Sequence, residues 1–232
     1  MPEPTPEFDR YAANYKDLLR EPIRDMFSAD PHFYTQRKWL LIQDFFRRRK
    51  LPVGQLRWLD VGCGEGDLLR HGMGSFAHLA GCDPSPGMLS SADGFEVRPQ
   101  ADSEKLPFDD CTFDFVTAVC VFHHVEPPSR PALLKEFLRV LTPGGIACII
   151  EHNAYNPLVR GMVRRIPVDE NAILLTPFET RNLLERTGLA AIATEFFLYL
   201  PQPLFRWFGA AEVLGRKLPI GGQYASFAQR PF

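Results

Sequence analysis

Five groups of residues in this chain could do chemistry, and they lie at intervals between Asp60 and Arg165. The first is the turn Gly62-Cys63-Gly64-Glu65-Gly66, preceded at the end of an apolar run by Asp60. Glycines suit such a turn because they accept positive φ and let a ligand approach the backbone. Dinucleotide sites read Gly-x-Gly-x-x-Gly and hold a pyrophosphate at a helix N-terminus. Here the third glycine comes one residue early, and Asp60 would repel a pyrophosphate while suiting an ammonium group. Asp83 follows about 20 positions later at the end of a second apolar run, where a carboxylate can accept hydrogen bonds from both hydroxyls of a ribose. A helix N-cap is the bland alternative for Asp83, but Ser85 competes for that role. Together these residues point to a nucleoside cofactor without phosphates.

Three further groups could act on a second substrate. His123 and His124 follow the strongly apolar run Phe113 to Val121, and alternation along an extended chain would send one ring to each side, so that one reaches a pocket. Glu151, His152 and Asn153 close the next apolar run, with Glu151 and Asn153 expected on one face and His152 on the other. Histidine and carboxylate at such an edge are suited to moving a proton. Arg160, Arg164 and Arg165 could meet an anionic acceptor, although a solvated helix face explains them as well.

The elements that must hold these groups alternate between short apolar strands and amphipathic helices, the pattern of a doubly wound α/β fold. Strands are expected at 56–61, 76–82, 96–98, 113–121, 146–150, 191–200 and 223–228. Pro131 to Leu141 and Pro177 to Thr187 read as helices, the second capped by Thr176, and Pro143-Gly144-Gly145 as a turn. Two helices are expected ahead of the first strand: Phe8, Tyr11, Tyr15, Leu18 and Leu19 recur at helical spacing, as do Phe33, Trp39, Ile42, Phe45 and Phe46. Arg37, Lys38 and the run Arg47 to Lys50 read as solvated charge. The stripe Leu204, Phe205, Trp207, Phe208, Val213 and Leu214 reads as core, with an interfacial helix or an apolar acceptor pocket as alternatives.

With 232 residues, 45% of them hydrophobic and 23% charged, the chain suits one soluble α/β domain with a sizeable core. A net charge of −2 gives no general attraction to nucleic acid. The five cysteines, at 63, 82, 111, 120 and 148, form no Cys-x-x-Cys pair, which leaves no zinc framework and suits a reducing compartment. The first residues are acidic and proline-rich, unlike a signal peptide, and no apolar run approaches a membrane span, so a cytoplasmic protein without stable membrane insertion is expected.

The phrases Leu59-Asp60-Val61-Gly62-Cys63-Gly64, Asp83-Pro84-Ser85, Ala101 to Phe108, the run ending in His123-His124, and Leu138 to Gly145 come in an order that resembles the class I S-adenosylmethionine-dependent methyltransferases, in particular their small-molecule type 11 group. The resemblance implies a single Rossmann-like domain with a seven-stranded, mostly parallel sheet and helices on both faces. Residues 1–50 would form a helical lid, 51–153 the cofactor core, and 154–232 an acceptor-side insertion with the closing strands. It implies S-adenosyl-L-methionine held by Tyr15, Asp60, Gly62, Gly64, Gly66, Asp83, Pro84, Met88, Asp102, Ser103, Val119 and Cys120. Met88 would lie against adenine, Asp102 would take its amino group and the Ser103 amide its ring nitrogen; Lys38 is an alternative contact for the cofactor's carboxylate. His124 is preferred as the catalytic histidine, with His123, Glu151 and His152 as the other candidates, and no metal is required. The implied activity is methyl transfer to oxygen of a small molecule such as a sugar or polyketide. Carbon methylation of a quinone or lipid, and a non-catalytic cofactor-binding module, are the alternatives. Cys120-Val121-Phe122-His123 stands where enzymes that methylate amino groups carry an Asn/Asp-Pro-Pro-Tyr tetrapeptide, so a nucleic-acid acceptor is not expected. Oligomeric state is left open.

Overall fold

A computed structural model describes residues 7–102 and 104–232. The chain enters through a 3-10 turn at Glu7–Arg10, then α1 (Tyr15–Leu18), α2 (Pro22–Phe27) and α3 (Pro31–Arg49). The single first helix expected over Phe8 to Leu19 is thus broken into short pieces. Glu21 accepts from the amides of Ile23 and Arg24 and starts a new helix at Pro22, which cannot continue an earlier one. Asp30 and Pro31 start α3 in the same way.

The sheet then alternates with helices: β1 (Arg57–Val61), α4 (Asp67–Gly72), β2 (His78–Asp83), α5 (Pro86–Leu89), β3 (Glu96–Pro99), β4 (Phe113–Val119), α6 (Arg130–Val140) and β5 (Leu141–His152). After α7 (Pro157–Val163) a 3-10 turn at Pro167–Asp169 leads to α8 (Pro177–Arg186), β6 (Ala190–Phe197), α9 (Gln202–Gly215) and β7 (Gln223–Gln229). Strand order is β3-β2-β1-β4-β5-β7-β6, parallel except where β7 runs between β5 and β6. This is the seven-stranded, mostly parallel α/β sheet that the sequence implied. Pro143-Gly144-Gly145, expected as a turn, lies inside β5, where the pairing with β4 shifts register.

Both faces are covered. Phe33, Trp39, Ile42, Phe45 and Phe46 of α3 pack with Trp58, Phe115 and Phe227 on one side, and Leu133, Leu134, Phe137 and Val140 of α6 with Leu59, Val116 and Ile149 on the other. Thr176 closes a capping box with Glu179 at the start of α8. β1 and β4 are paired neighbours, so Asp60 aligns with Thr117 and the carboxyl ends of both strands open on one edge, the place where doubly wound sheets bind ligands.

Two expectations about charge and apolarity do not hold. Arg37 is buried rather than solvated, paired with Glu212 of α9 and lying over the Phe205 ring. The α9 stripe is not core: that buried ion pair turns the charged side of the helix inward, leaving Leu204, Trp207, Phe208 and Leu214 exposed. Among the described residues no helix is long and apolar enough to cross a membrane.

Candidate active site

A cleft of about 500 Å³ opens at the carboxyl ends of β1, β2 and β4. It is lined by Tyr15, Asp60, Gly62, Gly64, Asp83, Pro84, Met88, Val119 and Cys120, nine of the twelve residues expected to hold a cofactor. Gly62 takes φ +68°, and a side chain there would run into Val121. Gly66 shapes the turn from behind the cleft, as the left-handed N-cap of α4. Asp102 is exposed and does not line the cleft; its carboxylate accepts the amide of Glu104 at 2.8 Å. Ser103 lies outside the described residues.

The carboxylates here differ in role. Asp60 is 3% exposed, takes a hydrogen bond from the Thr117 hydroxyl, and is pushed up to about 7 by burial, against the pull of Thr117 and Lys38. Asp83 accepts the Gly64 amide at 2.9 Å and the Ser85 amide at 2.9 Å, so its position locks the two ligand loops to each other. Ser85 caps Met88 and frees Asp83 from that task. Asp9 accepts from Ser85 and from the Gly87 amide, which ties the N-terminal turn over this edge. Glu65 and Asp67 complete an acidic rim, partly balanced by Lys16. Such a donor set suits a cationic nucleoside and repels a polyphosphate.

A second cavity, about 200 Å³, shares Tyr15, Lys38, Val119, Cys120 and His124 with the cleft. Its other walls are largely apolar: Ile23 and Phe27 from α2, Leu158, Val159 and Met162 from α7, with Ile166 and Leu198. Its polar corner is built by His123, His152 and Asp169.

The two histidines do not split to opposite sides as alternation implied. β4 stops at Val119, and Val121 to Val125 form a turn with amides of His124 and Val125 donating to the carbonyls of Val121 and Phe122. The period-two rule ends with the strand, and both rings come together with centroids 4.2 Å apart. His123 Nδ1 meets Glu151 Oε2 at 2.5 Å, and Glu151 Oε1 accepts the amides of Val121 and Phe122. His123 Nε2 and His124 Nε2 stand 3.4 and 3.3 Å from one oxygen, Asp169 Oδ1. Burial alone would lower the His123 pKa, but Glu151 and Asp169 outweigh it and carry it well above the ordinary value. Both carboxylates are held below theirs despite burial, Glu151 by His123 and Asp169 by the two histidines. The Cys120 thiol is likewise lowered: burial opposes ionisation, while Lys38 and His152 favour it.

His124 therefore reaches both cavities, His123 and His152 reach the second, and Glu151 reaches neither: it is fully buried behind His123 and positions that ring. Asn153 is structural, donating to the carbonyls of Pro219 and Gly221. Ligand-capable atoms of His123, His152 and Asp169 lie within 4.8 Å of one another. A cation could bridge them only after His123 lost the proton that its two carboxylates hold there. Asp169 had no signal in the sequence, being one acid in a polar, irregular stretch. Arg165 of that stretch pairs with Glu21, and Arg160 and Arg164 are exposed.

The family model Methyltransf_11, a methyltransferase domain, matches residues 59–149. A tRNA (carboxymethyluridine(34)-5-O)-methyltransferase of Saccharomyces cerevisiae is 33% identical over 127 residues, covering 51% of this chain and 43% of that one. A demethylmenaquinone methyltransferase of Lactobacillus johnsonii is 33% identical over 161 residues, 60% of this chain and 64% of that one. The chain thus spans less than two thirds of either relative's length. A SAM-dependent methyltransferase structure from Archaeoglobus fulgidus, 22% identical, superposes with a TM-score of 0.62 over 87% of this chain and 100% of that one, a likeness of fold. The expected exclusion of nucleic acid as a partner does not stand, because relatives of this similarity are named for tRNA. Net charge and a missing tetrapeptide do not decide it: an acceptor oxygen on RNA needs neither.

Proposed function

We propose, from the match of residues 59–149 to a methyltransferase domain, that the chain uses S-adenosyl-L-methionine to methylate a hydroxyl oxygen on a largely apolar acceptor. One observation carries this reading: a cavity with apolar walls and a histidine–carboxylate corner opens directly into the cofactor cleft.

Of the residues lining the cleft, Asp60 would hold the cofactor's cationic part, Lys38 its carboxylate and Asp83 its ribose. Bound there, the cofactor supplies an electrophilic methyl group, and the acceptor's proton is left to the residues of this chain. Asp169 Oδ1 stands 3.3 Å from His124 Nε2 and favours a proton on that nitrogen, which leaves Nδ1 of the ring as the acceptor for the hydroxyl proton. His123, clamped between Glu151 and Asp169, keeps Asp169 in place and balances its charge. α2 and α7 exclude water from the acceptor side, and alignment of the hydroxyl with the methyl group supplies much of the remaining acceleration.

The Lactobacillus relative supports carbon methylation of a quinone as a second reading, since removing a phenolic proton also activates the neighbouring ring carbon. Transfer of labelled methyl groups to three acceptor sets tests both: hydroxylated aromatics, a demethylmenaquinol, and tRNA. The expected product is an O-methyl ether of an apolar acceptor, formed roughly 10- to 100-fold more slowly by Asp169→Asn. A C-methyl product would establish the second reading, and labelling confined to tRNA would overturn both.

A further inference from the structure

We infer that the outer face of α9 docks onto a lipid bilayer carrying anionic headgroups, and that the acceptor cavity opens beside that contact. Leu204, Trp207, Phe208 and Leu214 are 47%, 84%, 60% and 88% exposed and share one side of a helix that spans 202–215. The opposite side is anchored. Glu212 receives Arg37 and the amides of Tyr199 and Leu200 at 3.0 and 2.8 Å, and Phe205 packs against Phe33. A buried ion pair that would be costly to break thus holds the apolar side outward.

Further exposed apolar side chains lie between α9 and the acceptor cavity in the chain's tertiary connections. Leu218 and Ile220, beyond α9, are exposed, and the Ile220 carbonyl accepts the side chain of Asn156, which caps α7. Leu158, on the first turn of α7, is 62% exposed and also lines the cavity. Asn156 thus joins the segment after α9 to the start of α7, where Leu158 brings an exposed apolar side chain to the cavity.

Charge selects the occupant. The charges exposed on and just after these two helices are cationic: Arg206 on α9, Arg160 on α7 and Arg164 after it. Tryptophan, phenylalanine and leucine on one side, with arginines beside them, is the composition of a helix lying in a membrane interface, where anionic headgroups meet the cations. The proposal deepens the reading of an apolar acceptor and rests on it for the link to the cavity, but the docking itself is measurable without turnover.

Trp207 serves as the probe, since Trp39 and Trp58 are buried. Tryptophan emission and flotation would be recorded with phosphatidylcholine vesicles, with and without phosphatidylglycerol. The expected result is a blue shift and flotation that depend on phosphatidylglycerol. Trp207→Glu with Phe208→Glu should reduce partitioning about tenfold or more, as loss of two buried aromatic side chains requires, while cofactor affinity by calorimetry stays unchanged. Charge reversal of Arg160 and Arg164 should weaken it further. No binding to either vesicle would overturn the proposal. So would self-association in sedimentation that Trp207→Glu abolishes while vesicles leave the emission unmoved. Failure of the enzymatic reading would show separately, as absent turnover of a detergent-solubilised acceptor by protein that still floats.

Discussion

His123 and Asp169, on turns far apart in the chain, stand with Nε2 and Oδ1 3.4 Å apart, and both are almost wholly buried. Because the same oxygen also faces His124, one carboxylate organises both rings at the junction of the two cavities.

Replacing Asp169 by asparagine should therefore slow turnover roughly 10- to 100-fold, the usual cost of losing a group that orients a catalytic histidine. Cofactor affinity should be unchanged, and Asp169→Glu should restore part of the rate. Single-turnover methyl transfer beside calorimetric titration checks it; equal losses in rate and cofactor affinity would show a collapsed site instead.

Asp60 supplies a pH dependence of binding. Burial raises its pKa to about 7, whereas a cationic ligand favours the carboxylate. Cofactor affinity should climb as pH rises toward 7, level off above it, and be accompanied by proton release on the acid side. Calorimetry in buffers of different ionisation enthalpy reads that release directly, and Asp60→Asn should abolish it.

At Gly62 the backbone is left-handed, and an added Cβ would sit 2.5 Å from Val121 Cγ2. The Val121 backbone is held by Glu151 through its amide, so relief has to come from its side chain. Gly62→Ala should cost about 1–3 kcal/mol in urea denaturation. Adding Val121→Ala should recover the steric part alone, leaving the backbone strain.

Removing Glu151 leaves the His123 imidazolium buried with only Asp169 beside it. Glu151→Leu should cost about 3–5 kcal/mol, the usual penalty for breaking a buried pair. The signs differ for the partners. The contribution of Glu151, whose folded pKa is lowered, is present above its ordinary value of 4.5 and is lost as pH falls through the folded pKa. That of His123, whose folded pKa is raised, is full below its ordinary 6.5 and is lost as pH rises through the folded pKa. Wild type should therefore exceed the variant most between about pH 4.5 and 6.5, as denaturation at several pH values would show.

Much of the cofactor half was legible because it is local. A strand, a glycine turn and a helix are adjacent in the chain, so the spacing of Asp60, Gly62, Gly64 and Asp83 already contains their geometry, and parallel pairing of β1 with β2 and β4 follows from alternating apolar runs. The acceptor half joins segments distant in sequence. Asp169 reaches the histidines only because the segment after α7 folds back over the strand ends, and no periodicity announces that. The outward face of α9 was likewise undecided by its hydrophobic stripe, which pattern alone assigns to the core. The tertiary partnership of Arg37 with Glu212 decided it, since two buried charges must meet whichever side of the helix that leaves in water.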